Sequence, residues 1–240
     1  MRKRLLLKIS GEALAAEAEA ETGPKGSWGI SEAALERLSH LILPAAREAE
    51  LAIIVGGGNI IRGRAMGLDR VVADQMGMLA TVINGLALQR ELESHGTKVI
   101  LQSAVPTPFT EPLDRRKAIQ SLEEGGMVIF AGGTGSPFVT TDTAAALRAA
   151  EIGAQLLLKG TKVDGVYTGD PEKDRSARKL DRITYQEVIA QGLEVMDLAA
   201  IDLCHRNKIP ILVFNLFKEG ELIRAIRGEP VGTLISLSDS

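Results

Sequence analysis

The chain has 240 residues, 45% hydrophobic and 25% charged, with a net charge of −3 and 3% aromatics. These proportions allow a sizeable core and argue against a dedicated nucleic-acid binder, which carries a basic patch or stacking aromatics. A single cysteine, Cys204, excludes an internal disulfide framework and fits a reducing compartment.

The N-terminus reads MRKRLLLKISGEAL, with a basic start and only three leucines before Lys8 interrupts them. That run is too short for a signal-peptide core. No stretch approaches the roughly 20 apolar residues of a membrane span, so the chain reads as soluble and cytoplasmic, with no membrane partner. RLLLKI (4–9) is the first strand. AAEAEAETGPKGSWG (15–29) is acidic and then glycine-rich, and reads either as a helix extension or as a variable loop. Residues 31–50 form a helix capped by Ser31, which Pro44 should kink or divide. LAIIV (51–55) is a second strand, and residues 70–95 read as one long helix with Gly77 and Gly85 as weak points. KVILQS (98–103) and MVIFA (127–131) are further strands. A helix over 140–153 has a Thr/Asp start, an alanine-rich body and a Gly stop. QLLLK (155–159) is followed by a long, polar, turn-rich stretch, 161–184. Helices over 184–191, 196–207 and 218–227 are interleaved with strands PILVF (210–214) and TLISL (233–237).

Most of the strands are nearly continuous apolar runs, as expected when both faces are covered. Strands alternating with helices imply an α/β fold, a three-layer αβα sandwich with a mostly parallel central sheet. No linker or internal repeat interrupts it, so residues 1–240 read as a single domain with a variable loop at about 15–29.

Four strands run into glycine: Lys8-Ile9-Ser10-Gly11, Gly56-Gly57-Gly58-Asn59, Gly132-Gly133-Thr134-Gly135 and Lys159-Gly160-Thr161-Lys162. Carboxyl ends of strands line the ligand crevice of open α/β sheets. Glycine there lets backbone N–H groups approach an anion, and a helix N-terminus adds a favourable dipole. Four such ends point to a polyanion such as a nucleotide. Taken singly, each has a plainer reading: a turn for the glycines, a solvated lysine for Lys8, an N-cap for Asp142, a surface charge for Arg62, a turn at Asp170-Pro171. The Walker A and G-x-G-x-x-G spacings are both absent. His40, His95 and His205 are scattered, so no zinc site is expected. Cys204 reads as a small buried hydrophobe.

Together, Lys8 to Gly11, Gly56 to Asn59 with Arg62, and Thr141-Asp142 resemble the amino acid kinase superfamily. KISGEAL (8–14), RVVADQMGMLATVINGLAL (70–88), GTGSPFVTTDTAA (133–145) and LLLKGTKVDGVYTGDP (157–171) resemble the bacterial uridylate kinase family within it. VMDLAA (195–200) and VGTLI (231–235) agree. The resemblance implies the amino acid kinase fold and ATP-dependent phosphorylation of UMP to UDP in pyrimidine nucleotide synthesis. It implies direct, Mg²⁺-assisted transfer, with the ion carried mainly by phosphates, no dedicated metal ligands and a homohexamer. Lys8, Ile9, Ser10 and Gly11 would hold ATP phosphates, with Gly58 and Arg62 beside them. Thr161, Tyr167 and Asp170 would hold the adenine and ribose. Gly57 would meet UMP, Asp74 its ribose, and Thr134, Gly135, Ser136, Pro137, Phe138, Val139, Thr140 and Thr141 would wrap it. Lys8, Arg62 and Asp142 would be the catalytic set, Asp142 orienting Lys8. In the family, the neighbourhood of 15–29 is linked to allosteric response to GTP; the segment here is longer and more acidic than expected.

The chemistry agrees with the residues. Phosphoryl transfer needs positioning and charge neutralisation more than covalent help. A phosphate monoester has its second pKa near 6, so the acceptor oxygen is largely ionised at neutral pH and no general base is required. Two alternatives stay open: a carboxylate or carbamate kinase of the same superfamily, and a non-catalytic nucleotide sensor or storage protein. A Gly57→Val change is expected to harm transfer far more than stability.

Overall fold

The computed structural model describes residues 2–15, 28–61, 67–169 and 176–238. In chain order the first half contains β1 (Arg4–Ile9), a short 3₁₀ turn, α1 (Glu32–Glu48), β2 (Glu50–Val55), α2 (Arg70–Ser94), β3 (Val99–Ser103), β4 (Glu111–Pro112), α3 (Arg115–Glu123) and β5 (Met127–Ala131). The second half contains α4 (Thr141–Ile152), β6 (Leu156–Thr161), β7 (Val166–Tyr167), β8 (Lys179–Leu180), β9 (Arg182–Thr184), α5 (Tyr185–Ala190), α6 (Leu198–Arg206), β10 (Ile211–Asn215), α7 (Glu221–Arg227) and β11 (Thr233–Ser236).

Nine strands form one sheet in the order β4-β3-β5-β2-β1-β6-β10-β11-β9. Every neighbouring pair in it is parallel except β10 with β11. Parallel neighbours need crossovers, and the helices supply them on both faces. Side chains alternate across a strand. Leu5, Leu7 and Ile9 of β1 therefore join a core with α1, α2 and α7. Leu6 faces the other core, built with α3, α4, α5 and α6. Lys8 shares the face of Leu6, at the carboxyl end of β1. By the same alternation Lys159 shares the face of Leu157 in β6. The register sets Lys8 directly opposite Lys159. Two parallel LLLK strands thus present two lysines to the layer that contains α4.

The seven strands read from the sequence all form, within a residue or two of the expected ends. Four differences have physical causes. Pro44 lies inside α1, which runs unbroken from Glu32 to Glu48 rather than being divided. The His40 carbonyl, which loses its partner there, lies at an exposed residue and can meet water. Helix α3 went unread because it is polar almost throughout; it is held by Asp114, whose carboxylate accepts from Arg116 N and Lys117 N. Neither Gly77 nor Gly85 breaks α2: a Cβ on Gly77 would meet nothing within 4 Å, and Gly85 is a point of close approach, where a Cβ would lie 2.8 Å from Leu101 Cδ1. The polar stretch 161–184 contains the antiparallel pair β7 and β8.

By length and composition alone α2 could cross a membrane, contrary to the expectation that no stretch approaches a span. Here it packs on β3 and β5 and buries the polar side chains of Thr81 and Asn84.

Candidate active site

At the carboxyl edge of the sheet, Asp142 Oδ1 lies 2.9 Å from Lys8 Nζ and Asp142 Oδ2 lies 2.9 Å from Lys159 Nζ. The Lys159 contact is a hydrogen bond, whereas Oδ1 faces Lys8 as an ion pair without an aligned hydrogen bond. Asp142 gets there because Thr140, not Asp142, caps α4: the Thr140 hydroxyl accepts from Asp142 N and Thr143 N. The carboxylate is thereby free to reach the strands. All three side chains are largely buried. Burial pushes the Asp142 pKa up, but the ammonium groups of Lys8 and Lys159 outweigh it and hold the carboxyl below its ordinary value. Burial lowers the pKa of Lys159, against the attraction of Asp142. Lys159 Nζ also donates to the Val195 carbonyl. Two ammonium groups share one carboxylate, an arrangement suited to a further anion.

Two clefts flank this cluster. The larger, about 720 Å³, is lined by Lys159, Thr161, Gly165, Tyr167, Gln191 and Val195. The smaller, about 480 Å³, is lined by Gly57, Gly58, Asp74, Gly133, Thr134 and Thr141, among others. Thr141 adjoins Asp142, and Lys159 lines the larger cleft, so the charged cluster stands where the two meet. Asp74 Oδ2 accepts from Phe138 N at 2.7 Å and from Arg70 Nε at 2.8 Å. It thereby ties α2 to the loop 133–140. Phe138 is exposed and has a left-handed φ of 70°, with the Arg70 guanidinium 5.7 Å from its ring.

The glycine loop after β2 divides by position. A Cβ on Gly56 would lie 2.9 Å from Gly11 N, and one on Gly57 would lie 2.8 Å from Gly77 O. Only Gly58 faces open space. Gly56 and Gly57 are glycine because backbone packs against them. The Gly57→Val expectation is therefore corrected: the added side chain meets the α2 backbone and must cost stability as well.

Of the residues singled out from sequence, Gly57, Gly58, Asp74, Thr134, Ser136, Val139, Thr140 and Thr141 line the smaller cleft. Thr161 and Tyr167 line the larger. The Thr161 hydroxyl donates to the Val163 carbonyl at 2.7 Å, and the Tyr167 hydroxyl donates to Asp164 at 2.7 Å. Ile9 is a core side chain whose carbonyl accepts from Gly56 N, so only its backbone could face a ligand. Ser10 and Gly11 form the turn beside Gly56. Gly135 N donates to Gly132 O and holds the turn that leads to Pro137 and Phe138. Arg62 and Asp170 lie outside the described residues, as does 16–27 of the acidic segment. Sequence reading missed Lys159 and Asp197. The repeated LLLK of 5–8 and 156–159 was the signal for Lys159. Asp197 caps α6 and accepts from the hydroxyls of Thr140 and Thr143. It joins the N-termini of two helices at the site and could be read only as a cap.

The sequence pattern of the amino acid kinase family matches residues 3–215. A uridylate kinase of Xanthomonas euvesicatoria is 50% identical over 238 residues, 97% of this chain and 96% of that protein. The chain belongs to the amino acid kinase family, among its uridylate kinases. A chloroplastic uridylate kinase of Arabidopsis thaliana is 51% identical over 97% of this chain and 68% of its own length. Among solved structures, a UMP kinase of Bacillus anthracis superposes with a TM-score of 0.91 at 39% identity, covering 99% of this chain and 97% of that one. One from Ureaplasma parvum gives 0.88 at 33% identity, covering 98% and 99%. For this family member, Lys8, Lys159 and Asp142, each within a segment that carried the resemblance, meet at the carboxyl edge of the sheet.

Proposed function

We propose that the protein transfers the γ-phosphoryl group of ATP to UMP, giving UDP and ADP, and that its whole length acts as one catalytic domain. The observation that carries this reading is the Lys8–Asp142–Lys159 cluster between two adjoining clefts. A donor in the larger cleft and an acceptor in the smaller would meet at that cluster. The uridylate kinases among its relatives support UMP as the acceptor, and membership of a kinase family supports ATP as the donor.

In this reading Thr161, Tyr167 and Asp170 hold the adenosine end of ATP, and the backbone from Ile9 to Gly11 with Gly58 and Arg62 faces its phosphates. Gly57, Asp74 and Thr134 to Thr141 hold UMP. An ionised UMP phosphate oxygen forms a bond to the γ-phosphorus as the bond from that phosphorus to the ADP oxygen breaks; no proton needs to leave the acceptor first. Lys8 and Lys159 neutralise charge on the transferring group, which is where preorganised donors lower the barrier most. Asp142 holds the two ammonium groups apart and in place. Mg²⁺ enters with ATP as part of the substrate and neutralises phosphate charge. Both oxygens of Asp142 face lysines, and Mg²⁺ commonly rides on substrate phosphates, so the phosphates are its natural carriers.

We further propose a homohexamer acting in the cytoplasm. Val72, Leu79 and Ile83 are exposed apolar side chains along α2, a face that another copy would cover. Sedimentation of a Leu79→Glu, Ile83→Glu variant should show smaller particles; an unchanged size would remove that support. GTP response belongs to the same proposal and is read by adding GTP to the assay. The activity itself is tested by ADP release with UMP, CMP, aspartate and carbamate as acceptors. UMP should be preferred, and Lys8→Ala should lose about 10³-fold in kcat while staying folded. Near-parental turnover by Lys8→Ala would remove Lys8 from the mechanism.

A further inference from the structure

Asn59 and Asn84 are both fully buried and neither lines a cleft. Their side chains bond each other twice: Asn84 Nδ2 donates to Asn59 Oδ1 at 2.7 Å, and Asn59 Nδ2 donates to Asn84 Oδ1 at 3.1 Å. Each amide has a second bond outward. Asn84 Nδ2 donates to Gly56 O at 2.7 Å, and Asn59 Nδ2 donates to Gly29 O at 2.6 Å. Gly29 N returns a bond to Asn59 O at 2.8 Å. The turn after β1 is packed against the same point: a Cβ on Gly11 would lie 2.4 Å from Asn59 Oδ1 and 2.8 Å from Gly58 N.

Four segments therefore meet at this amide pair: the turn at Gly11, the glycine loop, α2 and the surface residue Gly29. We propose that Asn59 and Asn84 are positioning residues for the phosphoryl transfer, clamping the glycine loop between the two clefts and tying it to Gly29. This rests on the UMP kinase reading above. The loop residues that line the smaller cleft, Gly57 and Gly58, lie between the two clamped points, Gly56 and Asn59. Their amides have no side chains of their own to fix them. The clamp sets their direction, and a buried amide pair with its donors and acceptors matched holds one geometry far better than a sliding apolar contact. Because Gly11 has no spare room against Asn59, a displaced Asn59 moves the turn after β1 too. The clamp thus controls both sides of the seam without touching either nucleotide.

The test compares the parent enzyme with Asn84→Asp and Gly29→Ala, each assayed for UDP formation well below its melting temperature. Asn84→Asp replaces the donor to Gly56 O and Asn59 Oδ1 with an acceptor, at constant shape. Gly29→Ala works from the surface: its φ is +76° and its Cβ meets nothing within 4 Å, so the change strains the backbone that bonds Asn59 without filling any space. Misplacement of reacting groups should lower kcat about tenfold in Asn84→Asp and about threefold in Gly29→Ala, with the KM of each nucleotide changed less than about twofold. A purely structural pair would lower the melting temperature and leave kcat per folded molecule unchanged. Parental kcat in folded Asn84→Asp overturns the clamp. If Asn84→Asp does not fold, parental kcat in Gly29→Ala overturns it instead. A parent that forms no UDP removes the UMP kinase reading and the clamp together.

Discussion

Strand β1 has a largely buried cation at each end, and the two are used differently. Arg4, at its start, donates through Nε to Glu50, through a second nitrogen to the Ile152 carbonyl and through a third to Glu123. Each guanidinium nitrogen has a partner, and the site is closed by β2, α3 and the end of α4. Lys8, four residues on, shares a single carboxylate with Lys159 and stands at the junction of two clefts. One end is a satisfied ion network and the other is a cation cluster with capacity left for an anion. Charge burial alone does not mark a functional site; unmet charge beside a cleft does.

Changes at the two ends should therefore separate activity from stability. Lys159→Met is expected to lower kcat by about 10²-fold or more, since it removes one of two cations facing the transferring group. Its melting temperature should stay near parental, as read by calorimetry. A large fall in melting temperature with parental kcat would make the Lys8 end structural as well. Arg4→Leu should do the reverse. It strands Glu50, which is 6% exposed, and breaking a buried pair costs about 3 kcal/mol. Urea unfolding should show the loss, while kcat of the folded enzyme stays within about twofold.

pH offers a second separation. The folded pKa of Lys159 lies below its ordinary 10.5, so between the folded value and 10.5 the unfolded chain binds more protons. Stability from this group therefore rises with pH in that window. Activity should fall in the same window as the ammonium is lost, and Lys159→Arg should abolish that alkaline limb. For Asp142 the slope has the same sign but lies in the acid range. Its folded pKa lies below 3.8, so its contribution is present above 3.8 and is lost as pH falls through the folded value. Urea midpoints and kcat measured across pH read both effects.

The smallest contrast lies inside the glycine loop. Gly57→Val should destabilise by about 2 kcal/mol through overpacking against α2, whereas Gly58→Ala, in open space, should cost less than about 0.5 kcal/mol. Equal losses would mean that backbone packing does not distinguish the two.

The strands and most helices were legible because apolar runs and capping residues act locally. Lys8, Asp142 and the loop 133–141 were legible as parts of a familiar pattern. Lys159 was not, because its meaning depends on register: only pairing β1 with β6 sets the second LLLK beside the first. The purpose of Gly56 and Gly57 was hidden for the same reason. The Gly11 and Gly77 backbones that require them are distant in sequence. Helix α3 has too few apolar residues to announce a period, and its capping aspartate is a weak signal alone.

The most direct measurement follows UMP and ATP by ³¹P NMR with the parent and with Lys8→Ala, both shown folded by calorimetry. The expected result is UDP and ADP appearing in equal amounts with the parent, and formation about 10³-fold slower with a nearly unchanged melting temperature in the variant. UDP formation at the parental rate by folded Lys8→Ala would contradict the assignment of phosphoryl transfer to the cation cluster between the clefts.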